Sequence, residues 1–345
     1  MGEYITSRRS ILRLGSGLLL SAAAVPLLSG CGGGGGSTQG QLKLKMSSSM
    51  SGQPGNAHST WFNKFQSLLK DKVGDAVAVD YFPDSQLGDE AKMVQQLKLG
   101  AADMMISGSS IWSQIAPEFG VLDMGYIFDS WDGVGKALDA GAGEQLSGIL
   151  KAKGGAQIIG WAYNFGARNM MTKNAVAGPA DLHGMKIRTL QAPQVISTVN
   201  LMGAVATPLP TTEVYTSLQT GLIDGLGHDA PTILQNKWYE TAKHLALTEH
   251  IFNPLTVVIA ATTLEKVPAE HRDGFMSAAK EATAFQRTQA VDAEKKAMAD
   301  LQAQGVAVTK VDKEEFKNLV KPLWEKFTGE SPDAKPILDE ILKQA

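Results

Sequence analysis

The chain has 345 residues, of which 43% are hydrophobic and 19% are charged, a composition typical of a globular protein long enough for two domains. Its formal net charge is −3 at pH 7, and no basic stripe is visible in the sequence. Proteins that bind nucleic acid or an anionic membrane surface normally carry such a stripe, so the composition argues against both kinds of partner.

The first segment has the features of an export signal. Arg8 and Arg9 precede an apolar stretch that is too short to span a membrane, which is typical of the twin-arginine signal of an exported protein. The stretch ends in LSGC at residues 28–31, which matches a bacterial lipobox, and Cys31 is the only cysteine in the chain. We therefore expect residues 1–30 to be a signal peptide and Cys31 to carry a lipid anchor in the periplasm or cell envelope. An ordinary secretory signal is the alternative.

A glycine-rich tether at residues 31–40 precedes the first structured unit. The apolar periodicity then predicts alternating strands and helices. These are a strand at 42–46, a helix at 58–73, a strand at 76–82, a helix at 89–99 and a strand at 103–107. This alternation predicts a parallel sheet with helices on its faces.

A second α/β unit follows with the same alternation. Its predicted strands lie at 157–163, 185–190, 222–226 and 257–261, and its predicted helices at 194–202, 212–220 and 233–247. A long charged helix is predicted between 269 and 304. A final helix at 313–327 should be kinked at Pro322.

No motif for catalysis or metal binding occurs in the sequence. It has no His-Glu-x-x-His, no phosphate-binding Gly-x-x-x-x-Gly-Lys and no Gly-x-Ser-x-Gly. We therefore expect neither enzymatic activity nor a cofactor or bound metal. Four of the six histidines are predicted at the surface, namely His183, His244, His250 and His271.

Two arginines lie in otherwise apolar β segments. Arg168 follows the strand predicted at 157–163, and Arg188 lies near the C-terminal end of the strand predicted at 185–190. In open α/β sheets this end borders the ligand crevice. A guanidinium group matches a carboxylate with two parallel hydrogen bonds. An internal salt bridge is the alternative for either arginine alone, but the two together predict an anion site.

Two stretches resemble a known family. They are residues 81–104 and residues 188–240, the latter including GAVATPLPTTEVYTSLQTGLIDG from Gly203. Both are similar to the solute-binding subunits of tripartite ATP-independent periplasmic (TRAP) transporters of the DctP type. The resemblance implies an α/β, two-lobed periplasmic-binding-protein-like fold, with hinge-crossing strands and a long helix spanning both lobes. Lobe I would comprise residues 41–165 plus 253–293, and lobe II residues 166–252 plus 294–345.

The resemblance also implies a ligand site. The carboxylate-clamping arginine of the family falls on Arg188, and a second ligand arginine falls on Arg168. Further pocket positions of the family include Ser47, Ser109, Gln191, Thr211 and His228.

Two of the candidate ligand residues have open alternatives. His228 stands where the family often has asparagine, and its charge could change near neutral pH. It could instead brace the turn at Asp224. Trp161 could stack on the apolar body of a ligand or belong to the core.

The function that the resemblance implies is that of an extracytoplasmic receptor. It would bind a small organic carboxylate in a cleft between the lobes and deliver it to the membrane permease subunits of the transporter. A receptor for a sensory two-component system and an exported lipoprotein enzyme are the alternatives. A four-carbon dicarboxylate, an aromatic acid, a 2-oxo acid or a branched hydroxy acid would each satisfy the two arginines.

Overall fold

The computed structural model describes residues 40–344, so the predicted signal peptide and Cys31 lie outside the described residues. Strands are β1 (Leu42–Ser48), β2 (Val77–Phe82), β3 (Met104–Gly108), β4 (Ala156–Tyr163), β5 (Arg168–Thr172), β6 (Lys186–Thr189), β7 (Val205–Pro208), β8 (Gly225–His228), β9 (His244–Ile251), β10 (Pro254–Ala260) and β11 (Ala307–Lys310).

Helices cover the faces of these strands. They are α1 (Ala57–Val73), α2 (Glu90–Lys98), α3 (Trp131–Ala137), α4 (Gly143–Gly154), α5 (Pro193–Leu201), α6 (Val214–Thr220), α7 (Ala230–Gln235), α8 (Ala261–Lys266), α9 (Ala269–Ala303), α10 (Lys313–Val320), α11 (Pro322–Glu330) and α12 (Lys335–Leu342). No helix in this part of the chain is long and apolar enough to cross a bilayer.

The strands form two separate sheets. The first has the order β2-β1-β3-β10-β4, in which β1 is parallel to β2 and β3, and β10 is antiparallel to β3 and β4. The second has the order β11-β9-β5-β8-β6-β7, and β6 is parallel to both β7 and β8. The predicted α/β class is therefore confirmed, although antiparallel strands complete both sheets.

The chain crosses between the sheets at two short connections. Residues 164–167 join β4 to β5, and residues 252–253 join β9 to β10. The helix α9 makes a third passage, because it contacts α1 and β4 on the side of the first sheet and α7 on the side of the second. Crossing strands and a long shared helix are the features that the family resemblance predicted.

Local signals explain where several helices begin and end. The side chain of Asn56 accepts a hydrogen bond from the His58 N–H at the start of α1, and Gly74 ends that helix with a φ of 61°. Gly221 ends α6 with a φ of 75°, as predicted. Pro322 divides the predicted final helix into α10 and α11, so the predicted kink is confirmed.

The helix predicted at 233–247 is wrong. α7 ends at Gln235, Lys237 adopts a φ of 56°, and β9 begins at His244. A residue in the left-handed region interrupts a helix. The apolar residues that follow become a strand buried between β5 and β11, a case that periodicity alone does not distinguish from a buried helix.

Candidate functional site

A small cavity of about 30 Å³ lies between the two sheets. On the first-sheet side its lining includes Ser49, Ser85, Glu90 and Ile111, and on the second-sheet side Arg188, Leu190, Gln191, Leu209 and Thr211. These residues lie at or beyond the carboxyl ends of β1, β2, β3, β6 and β7. Ligands of open α/β sheets bind at such ends.

Arg188 is the best-defined ligand-binding candidate in this cavity. It lies in β6 with 1% of its surface exposed. Its Nε donates to the Leu209 carbonyl at 2.9 Å, and its Nη2 donates to Thr211 Oγ1 at 3.3 Å. Its Nη1 is buried and has no partner among the described residues. The guanidinium is therefore held in place with one nitrogen available to a ligand.

The charge of Arg188 has no counter-ion within salt-bridge distance. Among residues 40–344, no carboxylate lies within 4 Å of its nitrogens. Burial, and then the neighbouring charge of Arg168, lower the pKa of Arg188 to about 9, so the group stays charged at neutral pH. The internal salt bridge considered from the sequence does not form at this residue.

Arg168 is not among the residues that line the cavity. It is the first residue of β5, a strand that the sequence did not predict. Its Nη1 donates to the Gly227 carbonyl at 2.6 Å, and its buried Nε has no partner in the described chain. Burial lowers the pKa of Arg168, while Asp229, Asp123 and Glu90 raise it. Arg168 therefore places a second positive charge near Arg188, and these three acidic side chains surround it.

Glu90 is a cavity residue that the sequence reasoning missed. It begins α2, directly after the N-cap residue Asp89, and its Oε1 accepts a hydrogen bond from Ser49 Oγ at 2.7 Å. Burial raises the pKa of Glu90, while Ser49, Arg188 and Arg168 act in the opposite direction. The sequence signal that could have identified Glu90 as a cavity residue is its position at the start of the helix after β2, near the carboxyl end of that strand.

The structure separates the other candidates into two groups. Gln191 and Thr211 line the cavity beside Arg188. Ser47 and Ser109 are buried and do not line it. Ser109 Oγ instead accepts a hydrogen bond from Asn253 Nδ2 at 3.0 Å.

His228 is buried near Arg168, outside the cavity lining. Its Nδ1 lies 2.7 Å from Asp229 Oδ2, and its ring centroid lies 5.4 Å from that of Trp238. Burial, and then the charge of Arg168, lower the pKa of His228 to about 4. This shift favours the neutral ring at pH 7 and argues against the suggestion that its charge changes near neutral pH.

Trp161 and His250 occupy core positions. Trp161 lies outside the cavity lining, stacks on Phe119 with ring centroids 6.1 Å apart, and accepts a hydrogen bond from Arg287 at its carbonyl. This placement favours the core interpretation of Trp161. His250 is fully buried and its Nδ1 is 2.8 Å from Thr248 Oγ1, so its predicted surface position is wrong.

Within the described chain, no group of three or more His, Cys, Asp or Glu side chains could hold a metal ion. The cavity between the sheets instead presents a buried cation, polar side chains and a carboxylate on the opposite wall. This arrangement suits a small anionic ligand that also carries hydrogen-bonding groups.

Comparison with known proteins gives matches along most of the chain. Residues 48–330 match the DctP family, described as bacterial extracellular solute-binding protein, family 7. The chain is 32% identical over 284 residues to the 2,3-diketo-L-gulonate-binding periplasmic protein YiaO of Escherichia coli, a match covering 81% of this chain and 86% of that protein.

Solved structures share the fold. A TRAP periplasmic solute-binding protein from Citrobacter koseri with bound D-glucuronate has a TM-score of 0.81 and 28% identity, covering 87% of this chain and 99% of that one. Another, from Polaromonas sp. JS666 and bound to D-erythronate, has a TM-score of 0.81 and 26% identity, covering 86% of this chain and 98% of that one.

Proposed function

This chain belongs to family 7 of the bacterial extracellular solute-binding proteins, and we propose that its Arg188 binds the carboxylate of a small organic acid between the two sheets. It is a periplasmic receptor of a TRAP-type transporter and not an enzyme. Its function is to bind the acid, close around it and release it to the membrane permease.

The unpartnered Nη1 of Arg188 is the observation that carries this proposal. A buried charge without a partner costs several kcal/mol, roughly 3–5 when one member of a pair is removed. A ligand carboxylate would compensate that cost and add charge-assisted hydrogen bonds of roughly 1.5–3 kcal/mol each. Gln191 and Thr211 lie on the same wall and would hydrogen-bond the ligand nearby.

We further propose that the acid is sugar-derived. The solved relatives hold D-glucuronate and D-erythronate, and the Escherichia coli relative is named for 2,3-diketo-L-gulonate. Each of these molecules combines one carboxylate with several oxygen substituents. The cavity of this chain offers polar side chains on both walls for such substituents.

We test the proposal by replacing Arg188 with lysine. Arg188→Lys keeps the positive charge but loses the planar guanidinium group, which donates to Leu209, Thr211 and the ligand at the same time. The affinity for the acid should therefore fall more than tenfold. Protein stripped of ligand by unfolding and refolding is titrated calorimetrically with D-glucuronate, D-erythronate and related acids.

Arg272→Lys is the matched control for this substitution. Arg272 also donates to two backbone carbonyls, those of Val267 and Glu265, but it is exposed on α9 and outside the cavity lining. The Arg272→Lys variant should bind the acids with the same affinity as the unchanged protein. Full affinity in Arg188→Lys would show that the carboxylate is bound elsewhere.

We also propose a division into lobes and a lipid anchor. Residues 41–165 plus 253–293 would move against residues 166–252 plus 294–345, a division supported by the crossings between β4 and β5 and between β9 and β10.

Cys31 would carry the lipid after export by the twin-arginine route. Mass spectrometry of the membrane-bound protein tests this, because an unmodified N-terminus would contradict the lipobox assignment.

A further inference from the structure

We propose that Glu90 makes the site selective for acids with a single carboxylate and a hydroxyl group at the opposite end, and that it rejects dicarboxylates. This inference rests on the proposed function, since it takes the ligand carboxylate to lie at Arg188. It narrows the set of acids that two arginines alone would admit.

The two charged residues face the cavity from opposite walls. Arg188 comes from β6 of the second sheet, and Glu90 comes from α2 on the side of the first sheet. Both line the same cavity, yet their charged atoms are more than 4 Å apart, because no salt bridge joins them. The cavity therefore presents a guanidinium group on one wall and a carboxyl group on the other.

Glu90 is oriented but not neutralised by its neighbours. Ser49 Oγ donates to one carboxylate oxygen at 2.7 Å. No lysine, arginine or histidine nitrogen in the described chain lies within 4 Å of the carboxylate. The exposed Asp89 adds a second acidic side chain to the same wall. A ligand group that reaches this wall meets acceptors and negative charge.

A hydroxyl group and a carboxylate interact differently with such a wall. A hydroxyl donates to Glu90 and forms a charge-assisted hydrogen bond. An ionised carboxylate has no proton to donate, and it is repelled at short range in a site of low dielectric. Two adjacent carboxylates are tolerated only when they share a proton, which disfavours binding at neutral pH.

The test uses pairs of acids that differ only at the distal end. D-Gluconate and D-glucarate form one pair, and D-erythronate and meso-tartrate form a shorter pair. In each pair a terminal CH₂OH is replaced by a carboxylate. Calorimetry at pH 7.5 should show that the unchanged protein binds the monocarboxylate of at least one pair about a hundredfold more tightly than its dicarboxylate.

Glu90→Gln should reduce that ratio to less than about tenfold, chiefly because the dicarboxylate gains affinity. Glu144→Gln is the matched control, since Glu144 also lies in the first turn of a helix, α4, but outside the cavity lining.

Each outcome has a defined meaning. Equal binding of both members of a pair to the unchanged protein overturns the role of Glu90, and this holds even if Glu90→Gln fails to fold. An unchanged ratio in folded Glu90→Gln also overturns it. If dicarboxylates bind and Arg188→Lys abolishes that binding, the selectivity proposal fails while the proposed function stands. If no organic acid binds, both fail.

Discussion

Asp123 is a fully buried side chain whose surroundings shift its pKa. Ser110 Oγ and Asn253 Nδ2 both donate to its Oδ1, while its buried Oδ2 has no partner in the described chain. Burial raises the pKa of Asp123 from 3.8 to about 7, although Ser110, Arg168 and Asn253 act against the shift. Between about pH 4 and pH 7, Asp123 is therefore protonated in the folded protein and ionised in the unfolded chain.

This pKa predicts a stability gain from Asp123→Asn at neutral pH. Because the folded pKa lies above the unfolded one, the contribution of Asp123 is fully present below pH 4 and is lost as the pH rises through 7. In that interval the free energy of unfolding falls by at most about 1.4 kcal/mol per pH unit because of this group. Asparagine keeps an acceptor for both donors and does not titrate.

Urea unfolding at pH 5, 6.5 and 8 measures this effect. The free energy of unfolding of Asp123→Asn relative to the unchanged protein should rise with pH across this series. Asp333→Asn, at an exposed position, is the control and should follow the unchanged protein. Parallel pH profiles for Asp123→Asn and the unchanged protein would mean that Asp123 is already ionised in the folded state.

At the residue scale, the sequence points to a candidate site where a side chain conflicts with its surroundings. A guanidinium in an apolar strand has few ordinary explanations, which is why Arg188 stands out in the sequence. Glu90 does not, because an acidic residue in the first turn of a helix is already explained by the helix dipole. The pKa of His228 was beyond prediction, since it depends on burial and on Arg168, which is 60 positions away in the sequence.

At the scale of elements, the packing of α9 on β4 depends on a glycine. A Cβ atom at Gly160 in β4 would lie 2.3 Å from Thr283 Oγ1 in α9. Thr283 cannot easily move away, because its hydroxyl accepts a hydrogen bond from Trp61 Nε1 at 2.8 Å. Gly160→Ala should therefore lower the free energy of unfolding by about 1–3 kcal/mol.

Gly148→Ala supplies the control for this substitution. Gly148 is exposed within α4, and a Cβ atom there meets nothing within 4 Å. Alanine should stabilise this helix by about 0.5–1 kcal/mol. Thermal unfolding of both variants separates the two effects, and a stabilising Gly160→Ala would show that α9 and β4 have room to separate.

Sequence periodicity predicts the elements that carry their own signals. The α1 helix has an apolar stripe, a capping asparagine and a terminal glycine, and its predicted range of 58–73 agrees with Ala57–Val73. The short strands β5, β7 and β11 were not predicted. They are four or five residues long and exist because neighbouring strands pair with them, which is information about distant parts of the chain.

For the whole molecule, the proposed closure brings the first-sheet and second-sheet sides together. One contact between them away from the cavity is the hydrogen bond from Asn56 Nδ2, at the start of α1, to Gln235 Oε1, at the end of α7. A contact made only when the sides are close stabilises the closed form without touching the ligand. The free energy of this hydrogen bond adds to the apparent affinity for the ligand, because a ligand bound in a closed site leaves only after the site opens.

Gln235→Ala should therefore weaken binding while leaving the cavity lining unchanged. A hydrogen bond contributes about 0.5–1.5 kcal/mol, so the dissociation rate should rise roughly 2- to 12-fold, and the dissociation constant should rise with it. Stopped-flow fluorescence gives the rate, and small-angle scattering reports the compactness of the loaded protein. Asn236→Ala is the control, because Asn236 bonds only the Thr232 carbonyl of its own helix. If both variants release ligand at the rate of the unchanged protein, the Asn56–Gln235 contact persists in the open form and takes no part in closure.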